Sequence, residues 1–155
     1  MFAWLENTPV AMWVGLSLWA YPMLLAVHII GLAIVVGIFS MRDLRLLGMF
    51  QGLRPAAFLP LSRLAWGGFI VNAVSGILLF TSQAVTFASS IPFLIKITGI
   101  IVGMVLAGVI QARLRTEISL QSPEVRPGRG TRILALASLT CWLTAIVAGR
   151  LIAYF

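Results

Sequence analysis

From Asn7 to Met41 the chain runs 35 residues without a formal charge. Leu64 to Ile95 adds a second such run of 32 residues. Lys96 alone divides it from Ile97 to Ala112, and Ile133 to Gly149 forms the last. A helix that crosses a bilayer needs about 20 mostly apolar residues. Hydrocarbon offers backbone amides no water, so runs of this kind fold as helices. Composition agrees: 61% of residues are hydrophobic and 10% charged, against roughly 25% charged in soluble domains. Too few polar side chains remain to cover a water-soluble monomer, which excludes a cytosolic globular domain and a disordered chain. The expected fold is all-α, an integral membrane four-helix bundle with an N-terminal interfacial helix, in a single domain covering residues 1–155.

Prolines and glycines set the boundaries. The first run is too long for one span, and Tyr21-Pro22 divides it, because proline disfavours helix at the residue before it. Pro9 to Ala20 reads as a short interfacial helix and Pro22 to about Leu47 as span 1. Trp4, Trp13, Trp19 and Tyr21 cluster before Pro22, as in an aromatic belt at headgroup level. Ser89-Ser90-Ile91-Pro92 is a helix start, which gives span 2 as about Arg63 to Phe87 and span 3 as about Pro92 to Arg113. After Gly128-Arg129-Gly130, Thr131 is positioned to cap span 4, about Arg132 to Tyr154. A secretory signal peptide fits poorly, because the N-terminal stretch carries Glu6 and neither lysine nor arginine.

Arginine gives the expected orientation. Arg42, Arg45, Arg54 and Arg63 lie between spans 1 and 2; Arg113, Arg115, Arg126, Arg129 and Arg132 lie between spans 3 and 4. These are nine of the eleven basic residues, on one side of the membrane. The positive-inside rule puts both loops in the cytoplasm of a bacterial inner membrane and both termini in the periplasm. The net charge of +7 thereby reflects topology and anionic lipid, not nucleic acid.

Three basic groups sit inside or near the spans, where an ionisable side chain costs roughly 2.5–3.5 kcal/mol. His28 lies about 9 Å along span 1, Lys96 about 6 Å along span 3, and Arg150 about 7–8 Å from the end of span 4, at 1.5 Å per residue. All three belong to the periplasmic half. Small and polar stripes accompany them: Lys96, Gly99, Gly103 and Ala107 on span 3; Gly68, Asn72, Ser75, Gly76 and Gln83 on span 2; His28 and Gly31 on span 1. A neutral imidazole is a good axial ligand for haem iron. Gly31 would let a flat macrocycle approach the backbone, and Lys96 with Arg150 could pair with two propionates. The expected cofactor-binding set is therefore His28, Gly31, Lys96 and Arg150, with His28 as metal ligand of a b-type haem; copper or a quinone are the alternatives. A single histidine excludes bis-histidine ligation within one chain, so the sixth position is open, taken by another residue type, or supplied by another protomer. The alternative to a cofactor is a histidine bonded to a neighbouring helix, with Lys96 and Arg150 snorkelling outward.

Other polar residues read as structural. Asp43 is expected to pair with Arg42, Arg45, Arg54 or Arg63 and fix the loop, with a proton relay as its second reading. Cys141 reads as packing and Asn72 as an interhelical hydrogen bond. No Ser/His/Asp set, Walker loop or paired carboxylate is present, so nothing supports a hydrolase or ATPase. An accessory or assembly subunit of a larger complex is one alternative function. A small transporter or channel is another, although no internal repeat or broken mid-membrane helix marks it. Short, small-residue-rich spans point to a homo-oligomer.

The run Tyr21-Pro22, His28, Gly31 and Asp43-Leu44-Arg45-Leu46-Leu47-Gly48 resembles an uncharacterised family of small bacterial four-span membrane proteins. So do Gly76-Ile77-Leu78-Leu79-Phe80, the Phe93 and Lys96 pair, and Gly149-Arg150-Leu151-Ile152-Ala153-Tyr154. More distantly, a histidine early in span 1 and a lysine early in span 3 look like the CopD-type copper-resistance and HemJ-type protoporphyrinogen oxidase membrane proteins. The latter resemblance implies b haem, a haem-ligand role for His28 and a role for Lys96. Gln111 is the residue nearest to the second histidine of that pattern.

Overall fold

The computed structural model describes residues 2–120, 127–152 and 154; of 118–120 only the backbone is described. Arg126, counted above with the second basic loop, lies outside the described residues. The described chain is helical, and four of its helices are long and apolar enough to cross a membrane. In order they are α1 (Ala3–Glu6), α2 (Pro9–Leu16), α3 (Ala20–Leu46), α4 (Phe58–Ser82, after a 3₁₀ turn Pro55–Ala57), α5 (Ala84–Ser89), α6 (Ile91–Leu120) and α7 (Arg129–Leu151). The best 18-residue window of each long helix buries only 17–28% of its residues. Side chains such as Ile30, Ile70, Ile77, Val105 and Ile133 are more than half exposed. In water this surface would drive aggregation; in lipid it is the natural exterior.

Local chemistry explains most of the ends. Thr8 caps α2, its hydroxyl accepting from the Ala11 amide, with Pro9 in the first turn. Pro22 sits in the first turn of α3 and does not start it; the helix begins at Ala20, because a missing N–H costs nothing where no intrahelical acceptor exists. Pro60 is accommodated in α4 for the same reason, so span 2 begins before Arg63 and ends at Ser82, with α5 as a separate turn up to Ser89. Gly48, at φ +104°, stops α3, and the Met49 amide bonds back to the Leu44 carbonyl, a left-handed closure that a side chain would strain. Helix α6 continues past Arg113 to Leu120, since charge ends a span but not a helix. Thr131 does not cap span 4: α7 starts at Arg129 after Gly128, and the Thr131 hydroxyl donates to Glu117 Oε1 at 3.3 Å.

Helices α3 and α4 form one antiparallel pair, and α6 and α7 the other. Each pair closes over glycine. A methyl on Gly31 would come within 2.9 Å of the Gly68 carbonyl oxygen, and one on Gly99 within 3.2 Å of the Cys141 carbonyl oxygen. Helix α3 also packs on α7 and so joins the pairs, whereas α4 touches α6 sparingly. The tryptophans Trp4, Trp13 and Trp19 are exposed beside the start of α3, at what we term the aromatic end of the bundle. The other is the arginine end. Helices α1 and α2 rest against α4 and α5, with Glu6 Oε1 accepting from the Val85 amide at 2.9 Å.

Candidate functional site

The interior is layered. Midway along it lies an apolar cluster of Val35, Phe39, Ala65, Met104, Ala107 and Trp142. Phe39 and Trp142 stack with centroids 5.9 Å apart, Gly103 leaving room for the indole. Polar groups lie on both sides of this plug, and they differ in kind.

At the arginine end Asp43 is fully buried and Arg42 is 3% exposed. Arg42 Nε and Nη2 both donate to Asp43 Oδ1, at 2.9 and 2.7 Å, and Nη1 donates to the Ala107 carbonyl at 3.1 Å. The guanidinium also lies 4.9 Å from the Phe39 ring centroid. The partner of Asp43 is thus its neighbour Arg42, one of the four expected. The pair ties α3 to α6 inside the bundle and does not pin the loop. Asp43 Oδ2 and the hydroxyl of Ser138 on α7, both buried, have no hydrogen-bond partner among the described residues. Nearby, Gln111 Nε2 donates to Ser62 Oγ at 2.6 Å and Trp66 Nε1 donates to Gln111 Oε1 at 3.3 Å, linking α4 with α6. Gln111 is therefore committed at the opposite end from His28 and is no ligand partner for it.

The aromatic end holds His28 and Lys96, both half-buried. His28 Nδ1 lies 3.0 Å from the Asn72 carbonyl oxygen and 3.2 Å from Ser75 Oγ. A carbonyl only accepts, so Nδ1 carries the proton. The Ser75 hydroxyl, directed at the Val71 and Asn72 carbonyls, also serves as acceptor. In the neutral ring the lone pair then falls on Nε2, which has no hydrogen bond among the described residues. The ring packs flat against α4 because residue 76 is glycine; a methyl there would come within 2.9 Å of His28 Cε1. Lys96 lies against α7 at Gly149, its Cδ 3.4 Å from where a methyl on that glycine would stand. Among the described residues the Lys96 ammonium has no ion-pair or hydrogen-bond partner.

Two members of the expected set lie elsewhere. The space over Gly31 is filled by the Gly68 carbonyl and by Asn72, so this glycine brings α3 and α4 together and offers no face to a macrocycle. Arg150 is exposed and turns along its own helix to Tyr154, donating to the hydroxyl at 3.3 Å with the guanidinium 5.5 Å from the ring centroid. The two principal surface grooves, both along the α6/α7 seam, include neither His28 nor Lys96. Gln83 is exposed at the end of α4 and does not join the interior stripe. Asn72 engages span 1 through its backbone carbonyl, while its Oδ1 has no partner.

The donor set can be tested against the candidate cofactors. Among the described residues no three His, Cys, Asp or Glu side chains come together to hold a metal ion. His28 alone is too poor a site for copper. A metal that brings its own equatorial ligands, as a porphyrin does, needs one axial nitrogen, and Nε2 fits that need. A quinone carbonyl would require a donor where Nε2 has a lone pair. Of the expected set, His28 Nε2 and the Lys96 ammonium keep no hydrogen bond among the described residues, whereas Gly31 is filled by α4 and Arg150 turns to Tyr154. Against known proteins, no protein-family model, curated protein or solved structure matches the chain.

Proposed function

We propose that this chain is a multi-pass protein of a bacterial inner membrane whose His28, through Nε2, and Lys96, through its ammonium, would hold a b-type haem at the aromatic end. The observation that carries the reading is the imidazole held by Nδ1 on the Asn72 carbonyl, with Nε2 without a hydrogen bond among the described residues, at the same end of the bundle as an ammonium that has no ion-pair partner among them. Second-sphere bonding of this kind fixes the tautomer and direction of a metal-binding histidine. Bound haem would supply redox or small-molecule chemistry at its iron. Ser75 and the Asn72 carbonyl hold the ring, Gly76 gives it room, and Lys96 supplies positive charge where the bilayer supplies none. Within one chain only two residues contact the group on this reading, so a second copy would complete the enclosure, in keeping with the expected homo-oligomer. On the positive-inside rule the arginine-rich loops would be cytoplasmic and the aromatic end would face the periplasm.

A transport path is disfavoured by the apolar plug between the two polar layers. The test is an absorption spectrum of detergent-purified protein expressed with ample haem. A Soret band that His28→Ala abolishes and Lys96→Met weakens supports the reading. A colourless wild-type protein overturns it.

A further inference from the structure

An open, almost wholly apolar groove runs along the lipid-facing side of the α6/α7 seam. Its two contiguous parts, of about 740 and 350 Å³, share Ile95 and Thr144. The groove opens at Pro92 and Leu151, at the aromatic end. Gly99 and Cys141 line it where the helices approach most closely. The hydroxyls of Thr98 and Thr140 are spent on the carbonyls of Leu94 and Leu136, each at 2.9 Å, so they add no polarity to the lining. Leu151 to Cys141 is ten residues, about 15 Å of helix, which is half of a hydrocarbon core of about 30 Å. The outer stretch of the groove therefore matches the reach of one leaflet.

Charge names the occupant. Arg150 precedes the lining residue Leu151 on α7 without lining either part itself, is exposed, and has no acidic partner among the described residues. Of its five N–H donors, one is engaged by the Tyr154 hydroxyl. We propose that the α6/α7 groove is a binding site for an anionic glycerophospholipid, an acyl chain lying along the groove and the headgroup phosphate on Arg150. This site is separate from that of His28 and Lys96 and does not depend on a haem.

Native mass spectrometry of the full chain, with phosphatidylglycerol or phosphatidylcholine added to the detergent-purified protein, tests the assignment. Wild type should retain phosphatidylglycerol about fivefold over phosphatidylcholine, the equivalent of ~1 kcal/mol for one arginine near an anionic surface. Arg150→Gln, at an exposed position where folding is not at stake, should bring that ratio near one. Thr144→Trp, which fills both parts of the groove, should lower retention of both lipids, while Ile77→Trp on the far face of α4 should not. Equal retention of the two lipids by wild type, or an unchanged preference in Arg150→Gln, overturns the proposal. So does a wild-type dimer that Thr144→Trp dissociates, since the groove would then belong to a second copy.

Discussion

The two polar layers of this bundle are built from similar residue types and are finished differently. At the arginine end a full charge pair is buried to 3% and 0% exposure and the Arg42 guanidinium finds acceptors, while Asp43 Oδ2 and the Ser138 hydroxyl have no partner among the described residues. At the aromatic end an imidazole and an ammonium are half-buried, with one ring nitrogen and one ammonium unpaired. The first layer pairs charge with charge and ties α3 to α6. The second carries basic groups with no counter-charge among the described residues, an arrangement that costs stability in lipid. Burial singles out Arg42 and Asp43, whereas the lack of a counter-charge among the described residues singles out His28 and Lys96.

Stability measurements in detergent should separate the layers. The largest loss is expected from Asp43→Ala, which strands the buried Arg42 guanidinium and should cost about 3–5 kcal/mol. The double substitution Arg42→Met with Asp43→Leu should regain most of that, because the uncompensated charge leaves with its partner. A double variant as unstable as Asp43→Ala would mean that the pair does more than balance charge. Next comes Gly31→Ala: its methyl meets backbone at 2.9 and 3.0 Å on α4, which cannot yield without parting the helices, so a loss of about 1–3 kcal/mol is expected. Were Gly31 to face a cofactor instead, that substitution would affect cofactor retention and spare the unfolding curve. Gln111→Leu should cost about 0.6–1 kcal/mol, the scale of an interhelical hydrogen bond in a membrane protein. The smallest change is expected from Lys96→Met, within about 0.5 kcal/mol and in the stabilising direction, since an ammonium without a partner is removed. A clear loss there would move Lys96 into the structural class and dissolve the contrast.

Much of this architecture is legible in the sequence because lipid imposes a simple rule on helices, and the charge-free runs obey it. Four spans, the interfacial α2 and the position of the tryptophans follow from it. Helix ends were harder to read. Pro22 and Pro60 both sit inside first turns, where proline is harmless, and α6 runs on beyond its last lipid-facing residue. Of the candidate site the sequence carries the depth of each residue but not the direction of its side chain. Depth along the helices brought His28 and Lys96 to one level, but depth does not say which way a side chain turns, and Arg150 turns to Tyr154. Gly31 illustrates the same limit, because a small residue beside a ligand and a small residue beside another helix leave the same mark in a sequence. The buried Arg42–Asp43 pair did leave a signal: Gly31, Val35, Phe39, Arg42 and Leu46 are spaced at three and four residues on the buried stripe of α3. Reading the charges as the end of the span hid it.

The central claim concerns one nitrogen, and the chain has one histidine with which to test it. Protein labelled with ¹⁵N-histidine gives a single imidazole signal set in the haem-free state. The account predicts the tautomer protonated at Nδ1 and bare at Nε2, with the Nε2 resonance displaced when haem is added. A ring protonated at Nε2, with its Nδ1 lone pair turned to the Ser75 hydroxyl, would contradict it.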